Sequence, residues 1–203
     1  MRLPTILANM RRIVSVFVAS LLLGIFVLPR GKNKPTLSST PLTAEEVEVY
    51  GIFLDSFVGK GKEQVNFSDK TFPFTFADLD KQGPCLERIK FNNLAEASQT
   101  IHAFEPTISV GRAIRLVDER KHKIKDPGKA IKNGESVASA VGAGFQSGLL
   151  RVSEIVFDEA HHFAALRFSF YCGSTCGWGG TLVFEKVDGM WKASNRSCPS
   201  WQS

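Results

Sequence analysis

Acidic and histidine side chains that could carry chemistry are concentrated in residues 158–162. Asp158, Glu159, His161 and His162 supply four potential metal ligands within five positions, and such oxygen and nitrogen ligands suit zinc. Adjacent histidines on a strand point to opposite faces, so one ion would rarely use both. The same composition is typical of a solvated hairpin loop. We therefore expect a loop here, with a metal-dependent or hydrolytic centre as the alternative.

The four cysteines are Cys85, Cys172, Cys176 and Cys198. Outside the cytoplasm an even number of cysteines favours disulfides, and three pairings are open. A Cys172–Cys176 bridge would need only local closure, because the two residues bracket a hairpin loop. A Cys85–Cys198 bridge would then tie the middle of the chain to its end. We expect these two bridges; the alternatives are inert free thiols, or a metal or redox site that uses Cys172 or Cys176.

A glycine-rich segment at residues 173–180 separates two predicted strands. It is not a phosphate-binding loop, because it lacks the Lys-Ser/Thr ending and does not open a helix. Tight turning beside a disulfide explains its glycines. Trp178 is predicted at the tip of this turn, where an exposed aromatic ring suits contact with a partner or a membrane interface. The alternative is that this ring folds back on the core.

Most of these candidate residues would be positioned by β-strands, which the pattern of the last 55 residues predicts. Two-residue alternation and β-branched or aromatic side chains predict strands at residues 150–157, 163–172, 181–187 and from Met190 onward. The Asp188-Gly189 pair between the last two is a strong hairpin signal. Four antiparallel strands in a meander are stable once another element covers one face.

Several residues of this meander form a recognisable pattern. They are Ala165-Leu166-Arg167-Phe168, Cys172, Cys176-Gly177, Gly180, Leu182-Val183-Phe184-Glu185-Lys186, Asp188-Gly189, Trp191-Lys192, Trp201 and Ser203. The pattern resembles one that recurs at the C-terminus of uncharacterised exported bacterial proteins, and it covers about the last quarter of the chain. Since that family has no assigned activity, the resemblance implies a fold and a compartment but no reaction.

Upstream of the meander, the clearest element is an amphipathic helix at residues 44–58. Thr43 and Glu46 form a capping box, apolar residues follow at helical spacing, and Gly59 ends the helix. We expect its apolar stripe to cover the sheet. Weaker signals predict a strand at residues 64–76, a short helix from Asn93 to Phe104, a strand at 108–117 and a weak helix at 136–141.

The net charge of +5 does not indicate a nucleic-acid-binding protein. Residues 1–34 contain six basic residues and no acidic one, which leaves 19 basic against 20 acidic residues in 35–203, a net charge of −1. No overall phosphate-binding field follows from this distribution, so we expect no nucleic-acid partner. The basic cluster at residues 120–125 is expected to be a solvated loop, with contact to anionic lipid or nucleic acid as the weaker alternative.

Residues 13–28 are uncharged and largely apolar, and Arg11 and Arg12 precede them. An uncleaved membrane anchor fits, because no small residues prepare a cleavage site before Pro29 and Arg30. The run is slightly shorter than the ~20 residues of an average span, and a cleaved signal peptide is the alternative. We expect the N-terminus inside and the domain outside the cytoplasm, in the periplasm or at the cell surface, or secreted after cleavage.

The predicted fold class is α+β, with the helix packed on a mostly antiparallel, curved sheet of cystatin- or NTF2-like appearance. Residues 1–30 would form the membrane segment, 31–42 a linker and 43–203 one extracytoplasmic domain. The function we predict is non-catalytic binding of a protein or small molecule in the concavity between helix and sheet. No motif assigns a catalytic residue, a metal or a cofactor, and we expect none.

Overall fold

One long helix and a curled sheet form the domain. The computed structural model describes residues 34–59, 63–75, 85–196 and 198–203, and the apolar segment predicted at 13–28 lies outside these ranges. Within them, no helix combines the length and apolarity that a membrane crossing requires. The predicted α+β class is confirmed, and the sheet curls into a half-barrel.

The first helix, α1, spans Ala44–Val58, as its signals predict. The Thr43 hydroxyl accepts from the Glu46 amide at 3.2 Å, and the Glu46 carboxylate accepts from the Thr43 amide at 2.7 Å. Two amides that a helix start leaves open are thereby satisfied. Gly59 ends the helix with a φ of 59°, a conformation that glycine adopts without strain.

The strands, in chain order, are β1 (Thr36–Leu37), β2 (Val65–Ser68), β3 (Thr100–Ile101), β4 (Ile114–Val117), β5 (Leu149–Val152), β6 (Val156–Phe157), β7 (Phe163–Gly173), β8 (Cys176–Val187), β9 (Met190–Ala193) and β10 (Ser200–Gln202). The main sheet has the order β10-β8-β7-β5-β2-β4, with β6 also on β7 and β9 also on β8. Antiparallel pairs join β5 through β9 into a meander. In contrast, β2 runs parallel to both β4 and β5.

Helix α1 covers one face of the sheet with large apolar side chains. Tyr50 and Phe53 of α1 are buried in one core cluster with Phe67 of β2 and Phe184 of β8. The Tyr50 hydroxyl donates to the carbonyl of Ser153 at 2.9 Å, so its polar group is satisfied inside the core. Each fully buried side chain of this size contributes about 1.5–3 kcal/mol, and this cluster therefore fixes α1 on the sheet.

The opposite face of β7 and β8 carries a second, smaller core. Ala165 and Val183 are buried there, whereas their strand neighbours Ala164 and Phe184 belong to the main core. Two-residue alternation along a strand requires this division. At these positions β7 and β8 are consequently buried on both faces.

The prediction of disulfide bonds is confirmed. The structure joins Cys85 to Cys198, 113 positions apart, and Cys172 to Cys176, four positions apart, which are the pairs favoured from the sequence. Cys85 and Cys198 lie at the second core. Metal ions bind the thiolate form of cysteine. Cys172 and Cys176 therefore cannot bind a metal while the Cys172–Cys176 disulfide is intact.

The prediction of a glycine-rich turn over residues 173–180 is wrong. Only two residues separate β7 from β8. Gly179 and Gly180 are paired with β7 on one side and β10 on the other, so they lie inside the sheet, where neighbours approach closely. Trp178 is therefore a strand residue packed among other rings, and not the tip of an exposed loop.

The helix predicted from Asn93 to Phe104 is also wrong in its length. A one-turn helix, α2 (Leu94–Ala97), is followed directly by β3. The Asn93 side chain does not cap α2, because its amide nitrogen donates to the Ile155 carbonyl and its oxygen accepts from the Phe157 amide. Asn93 thus stabilises the segment that joins β5 to β6 and the end of β6.

The strands predicted at 108–117 and 150–157 are each only partly formed. The run at 108–117 begins within a 3₁₀ helix, Pro106–Ser109, and becomes strand only at β4, after Gly111 turns the chain with a φ of 77°. The run at 150–157 is divided into β5 and β6. At the break, the Ser153 hydroxyl donates to the carbonyl of Glu154 and accepts from the Arg167 amide of β7.

Two further helices precede the meander, α3 (Pro127–Lys132) and α4 (Val137–Ser147). Asp126 caps α3 and Ser136 caps α4 through side-chain oxygens. The weak helix predicted at 136–141 is thus longer than expected. Gly144 allows α4 to approach β7, because a Cβ at this position would lie 2.8 Å from the carbonyl oxygen of Cys172.

Candidate functional site

A cavity of about 450 Å³ lies at the C-terminal end of α1, within the range of roughly 300–1,000 Å³ typical of ligand sites. Phe57 of α1, Phe145 of α4, Phe170 of β7 and Trp178 of β8 line it, and Arg115 of β4 adds a guanidinium. We call it the aromatic cavity. The main sheet and two helices therefore converge on one site.

The four rings form a continuous apolar wall. The centroids of Phe170 and Trp178 are 4.5 Å apart, and those of Phe57 and Trp178 are 6.2 Å apart with ring planes at 15°. Phe145 lies 6.1 Å from Trp178 and remains 46% exposed. These separations are those of attractive aromatic pairs. A wall of this kind can hold a flat, apolar ligand.

Arg115 is held in position by a buried amide. Asn66, only 3% exposed, donates to the carbonyls of Gln146 and Gly148 at 3.0 and 2.9 Å. Its oxygen accepts from Nε and Nη2 of Arg115 at 3.1 and 2.5 Å. A guanidinium has five N–H donors, and the other three have no hydrogen-bond partner in the part of the chain that the structure describes. Glu63 also lines the cavity. Its carboxylate opposes the binding of an anion, and the attraction of the Arg115 guanidinium has to exceed that repulsion.

The predicted loop at residues 158–162 joins β6 to β7. An Asp158 carboxylate oxygen accepts from the amides of His162 and Phe163 at 2.7 and 2.6 Å, so this side chain stabilises the turn. His162 is exposed. Over the ranges that the structure describes, no three histidine, cysteine, aspartate or glutamate side chains are grouped to hold a metal ion.

His161 contacts the start of α1. Its Nδ1 lies 2.7 Å from a carboxylate oxygen of Glu45, and the other Glu45 oxygen accepts from Lys186. The Lys186 hydrogen bond is the main cause that lowers the pKa of Glu45, and His161 adds to it. The imidazole also stacks on Phe157, with centroids 4.9 Å apart. Of the candidate ligands, the fold therefore brings His161 to a distant carboxylate and not to the cysteines.

His161 lines a second cavity, of about 320 Å³, together with His102 and Glu154; we call it the histidine cavity. The Glu154 side chain is 4% exposed and lies 2.8 Å from Nδ1 of His102. The same carboxylate accepts from the Thr71 hydroxyl and, at 2.9 Å, from the His102 amide. Burial raises the pKa of Glu154, and hydrogen bonds from Thr71 and His102 oppose that rise.

Stability is expected to depend on pH through Glu154. Burial raises its folded-state pKa above the ordinary value of 4.5, so the folded state holds the proton more tightly than the unfolded state. This contribution is present below the unfolded pKa and is lost as pH rises through the folded pKa. Urea denaturation at about pH 4 and about pH 7 should show wild type losing stability relative to Glu154→Gln. A difference independent of pH would contradict this, and Glu159→Gln, on the exposed loop, is the control.

The sequence prediction misses two pairings in these cavities, that of Glu154 with His102 and that of Arg115 with Asn66. A signal did exist for Glu154, because an acidic residue within an apolar, β-branched run must be paired if the run is buried. No comparable signal marks Arg115 and Asn66, which lie 49 positions apart and meet only because β2 and β4 are parallel neighbours.

Comparison with protein-family models, with curated proteins and with solved structures found no match to this chain.

Proposed function

We propose that this domain binds a small ligand with a flat apolar body and an anionic group in the aromatic cavity. The observation that carries the proposal is the position of Arg115, which buried Asn66 holds beside a wall of aromatic rings. A binding site of this type combines apolar walls with a few oriented polar groups. The rings would hold the body of the ligand, and the guanidinium would orient its charge.

The proposal is of a non-catalytic binding module. We infer that the helix on the curled sheet forms the cystatin- or NTF2-like arrangement predicted from the sequence, in which a concavity between helix and sheet can hold a ligand. An enzyme centred on residues 158–162 has less support, because the Asp158 carboxylate stabilises its own turn and a disulfide occupies both Cys172 and Cys176, the thiols considered as further ligands.

We also propose that the domain works outside the cytoplasm, attached to the membrane through residues 13–28 or released by cleavage. Two disulfides support this location, because such bonds persist in oxidising compartments. The apolar N-terminal run and the resemblance of the last quarter of the chain to exported bacterial proteins support it further. Cysteine mapping without reduction, on protein from its native membrane or envelope fraction, tests the location; free thiols would contradict it.

Isothermal titration calorimetry on the full chain, with a naphthalene carboxylate and its uncharged carboxamide, tests the ligand proposal. The carboxylate should bind saturably and about 10-fold or more tightly than the carboxamide, since a hydrogen bond to a charged group contributes about 1.5–3 kcal/mol. Trp178→Ala should weaken both ligands about 10-fold, because it removes apolar area from the ligand contact.

Arg115→Gln should abolish the preference for the carboxylate and leave carboxamide binding unchanged. Trp201→Ala and Arg151→Gln remove the same residue types outside the cavity lining and serve as matched controls. Absence of saturable binding, or a preference that survives Arg115→Gln, would overturn the proposal.

A further inference from the structure

Helix α4 leaves an apolar stripe uncovered. Val137, Val141 and Phe145 are spaced four residues apart and are 63, 37 and 46% exposed. At 3.6 residues per turn, this spacing places them on one side of the helix. Ala140 flanks this stripe and is 1% exposed, so the helix is buried along the adjoining side. The neighbouring helix α3 adds Ile131, which is 38% exposed.

The residues around this stripe are basic, although the rest of the domain is acidic. Residues 120–148 contain six basic and two acidic residues, a net charge of +4, whereas the remainder of 35–203 contains thirteen basic and eighteen acidic residues, a net charge of −5. Lys123, Lys125, Lys129 and Lys132 are exposed. Among the described residues, none of these four has an ion-pair partner.

Hydrogen bonds hold the basic segment alongside α4. The amide of Lys125 donates to the Ser147 hydroxyl at 2.8 Å, and Nε2 of His122 lies 2.7 Å from the Ser147 carbonyl oxygen. Of the two acidic residues, Asp126 accepts from the amides of Lys129 and Ser174 at 3.1 and 2.9 Å. The other, Glu135, lies in the turn between α3 and α4. The exposed lysines and the apolar stripe are therefore carried by adjacent segments, whose exposed surface we call the α3–α4 face.

We propose that the α3–α4 face docks on an anionic lipid bilayer, with the α4 stripe at the acyl boundary and the lysines among the headgroups. Helices that lie in a membrane interface combine an apolar stripe with basic residues that reach the headgroups. Here α4 carries the stripe, and α3 with the segment before it carries the lysines. Nucleic acid would satisfy the lysines but not the apolar stripe. The remainder of 35–203 has a net charge of −5 and is repelled by the same surface, which favours the orientation that turns the α3–α4 face toward it.

The experiment uses the full chain reconstituted into vesicles, so that any N-terminal anchor is present in every sample. All four native cysteines are paired, and Val141→Cys therefore adds one thiol for a nitroxide label. In vesicles containing phosphatidylglycerol, the label should be accessible to oxygen and protected from a water-soluble nickel complex; with phosphatidylcholine alone it should be accessible to both. A label at Val110→Cys, where the native valine is 73% exposed, should be water-accessible in both.

Lys129→Glu/Lys132→Glu should lower the docking equilibrium constant by about 30-fold or more, because each lysine at an anionic surface contributes a factor of about 5. Lys90→Glu/Lys192→Glu makes the same change in net charge elsewhere and should leave docking intact. A label at position 141 that stays water-accessible on anionic vesicles, or is immobilised by protein contact without them, overturns the proposal. Position 141 and both lysines lie outside the aromatic cavity lining, so naphthalene carboxylate binding should be unchanged and the two proposals fail separately.

Discussion

Replacing both cysteines of the long-range bridge, Cys85→Ala/Cys198→Ala, is expected to lower the free energy of unfolding by about 4–5 kcal/mol. The bridge joins positions 113 residues apart, and its loss releases a large loop in the unfolded chain, whose entropy then favours unfolding. Marginal domains have only about 5–15 kcal/mol in total. Equilibrium denaturation in urea, with the midpoint and slope fitted separately, measures the change.

The second bridge is the internal control for this prediction. Cys172 and Cys176 are only four positions apart, so the same loop-closure argument gives about 2 kcal/mol for Cys172→Ala/Cys176→Ala. Each double variant loses two sulfur atoms, and the contrast between them therefore isolates loop length. If the two variants were equally destabilised, loop closure would not explain the stabilising effect of the Cys85–Cys198 bridge.

Local signals explain what could be predicted from the sequence. The capping box at Thr43 and the glycine at 59 delimit α1 because a helix end must satisfy backbone groups within its own few residues. The Asp188-Gly189 turn fixes the β8–β9 hairpin in the same local way, and Asp188 and Gly189 do take positive φ values of 53° and 78°. Elements joined by short turns are thus readable from sequence, because the interactions that define them lie within a few positions.

Long-range pairing explains what could not be predicted. Strand β2 pairs in parallel with β4 and β5. Parallel strands are not joined by a tight turn, so no local sequence signal predicts these pairings. Arg115 acquires its partner through the β2–β4 pairing, and Glu154 acquires Thr71 and His102 from positions 83 and 52 residues away. The prediction that Trp178 lies at a turn is wrong for a related reason. Glycines that permit close approach inside a sheet cannot be distinguished in the sequence from glycines in a loop.

Helix α1 connects the two cavities. Thr43, Glu45 and Glu46 at its N-terminal end line the histidine cavity, and Phe57 near its C-terminal end lines the aromatic cavity. Between them, Tyr50 and Phe53 are fixed in the main core. Because a packed helix moves largely as a unit, any displacement of α1 at one cavity would also be felt at the other.

Gly179→Ala is expected to destabilise the domain by about 3 kcal/mol, the upper end of the usual cost of overpacking. Gly179 lies in β8 between β7 and β10. A Cβ there would overlap the carbonyl oxygen of Phe168 and would lie 2.8 Å from the indole nitrogen of Trp201. The carbonyl belongs to the backbone of β7, so it cannot rotate away. Urea denaturation compares the variant with wild type.

Gly180→Ala is the matched control, because a Cβ at this neighbouring position would have its nearest atom, the Pro199 carbonyl oxygen, at 3.3 Å. Its effect should stay within about 1 kcal/mol, since alanine also removes the entropic penalty of glycine in a strand. The double variant Gly179→Ala/Trp201→Ala separates the two contacts of Gly179. We expect most of the loss to persist relative to Trp201→Ala alone, because the Phe168 carbonyl remains. Full recovery would instead assign the cost to the indole, and Gly179 would then be required only to make room for the C-terminal tryptophan.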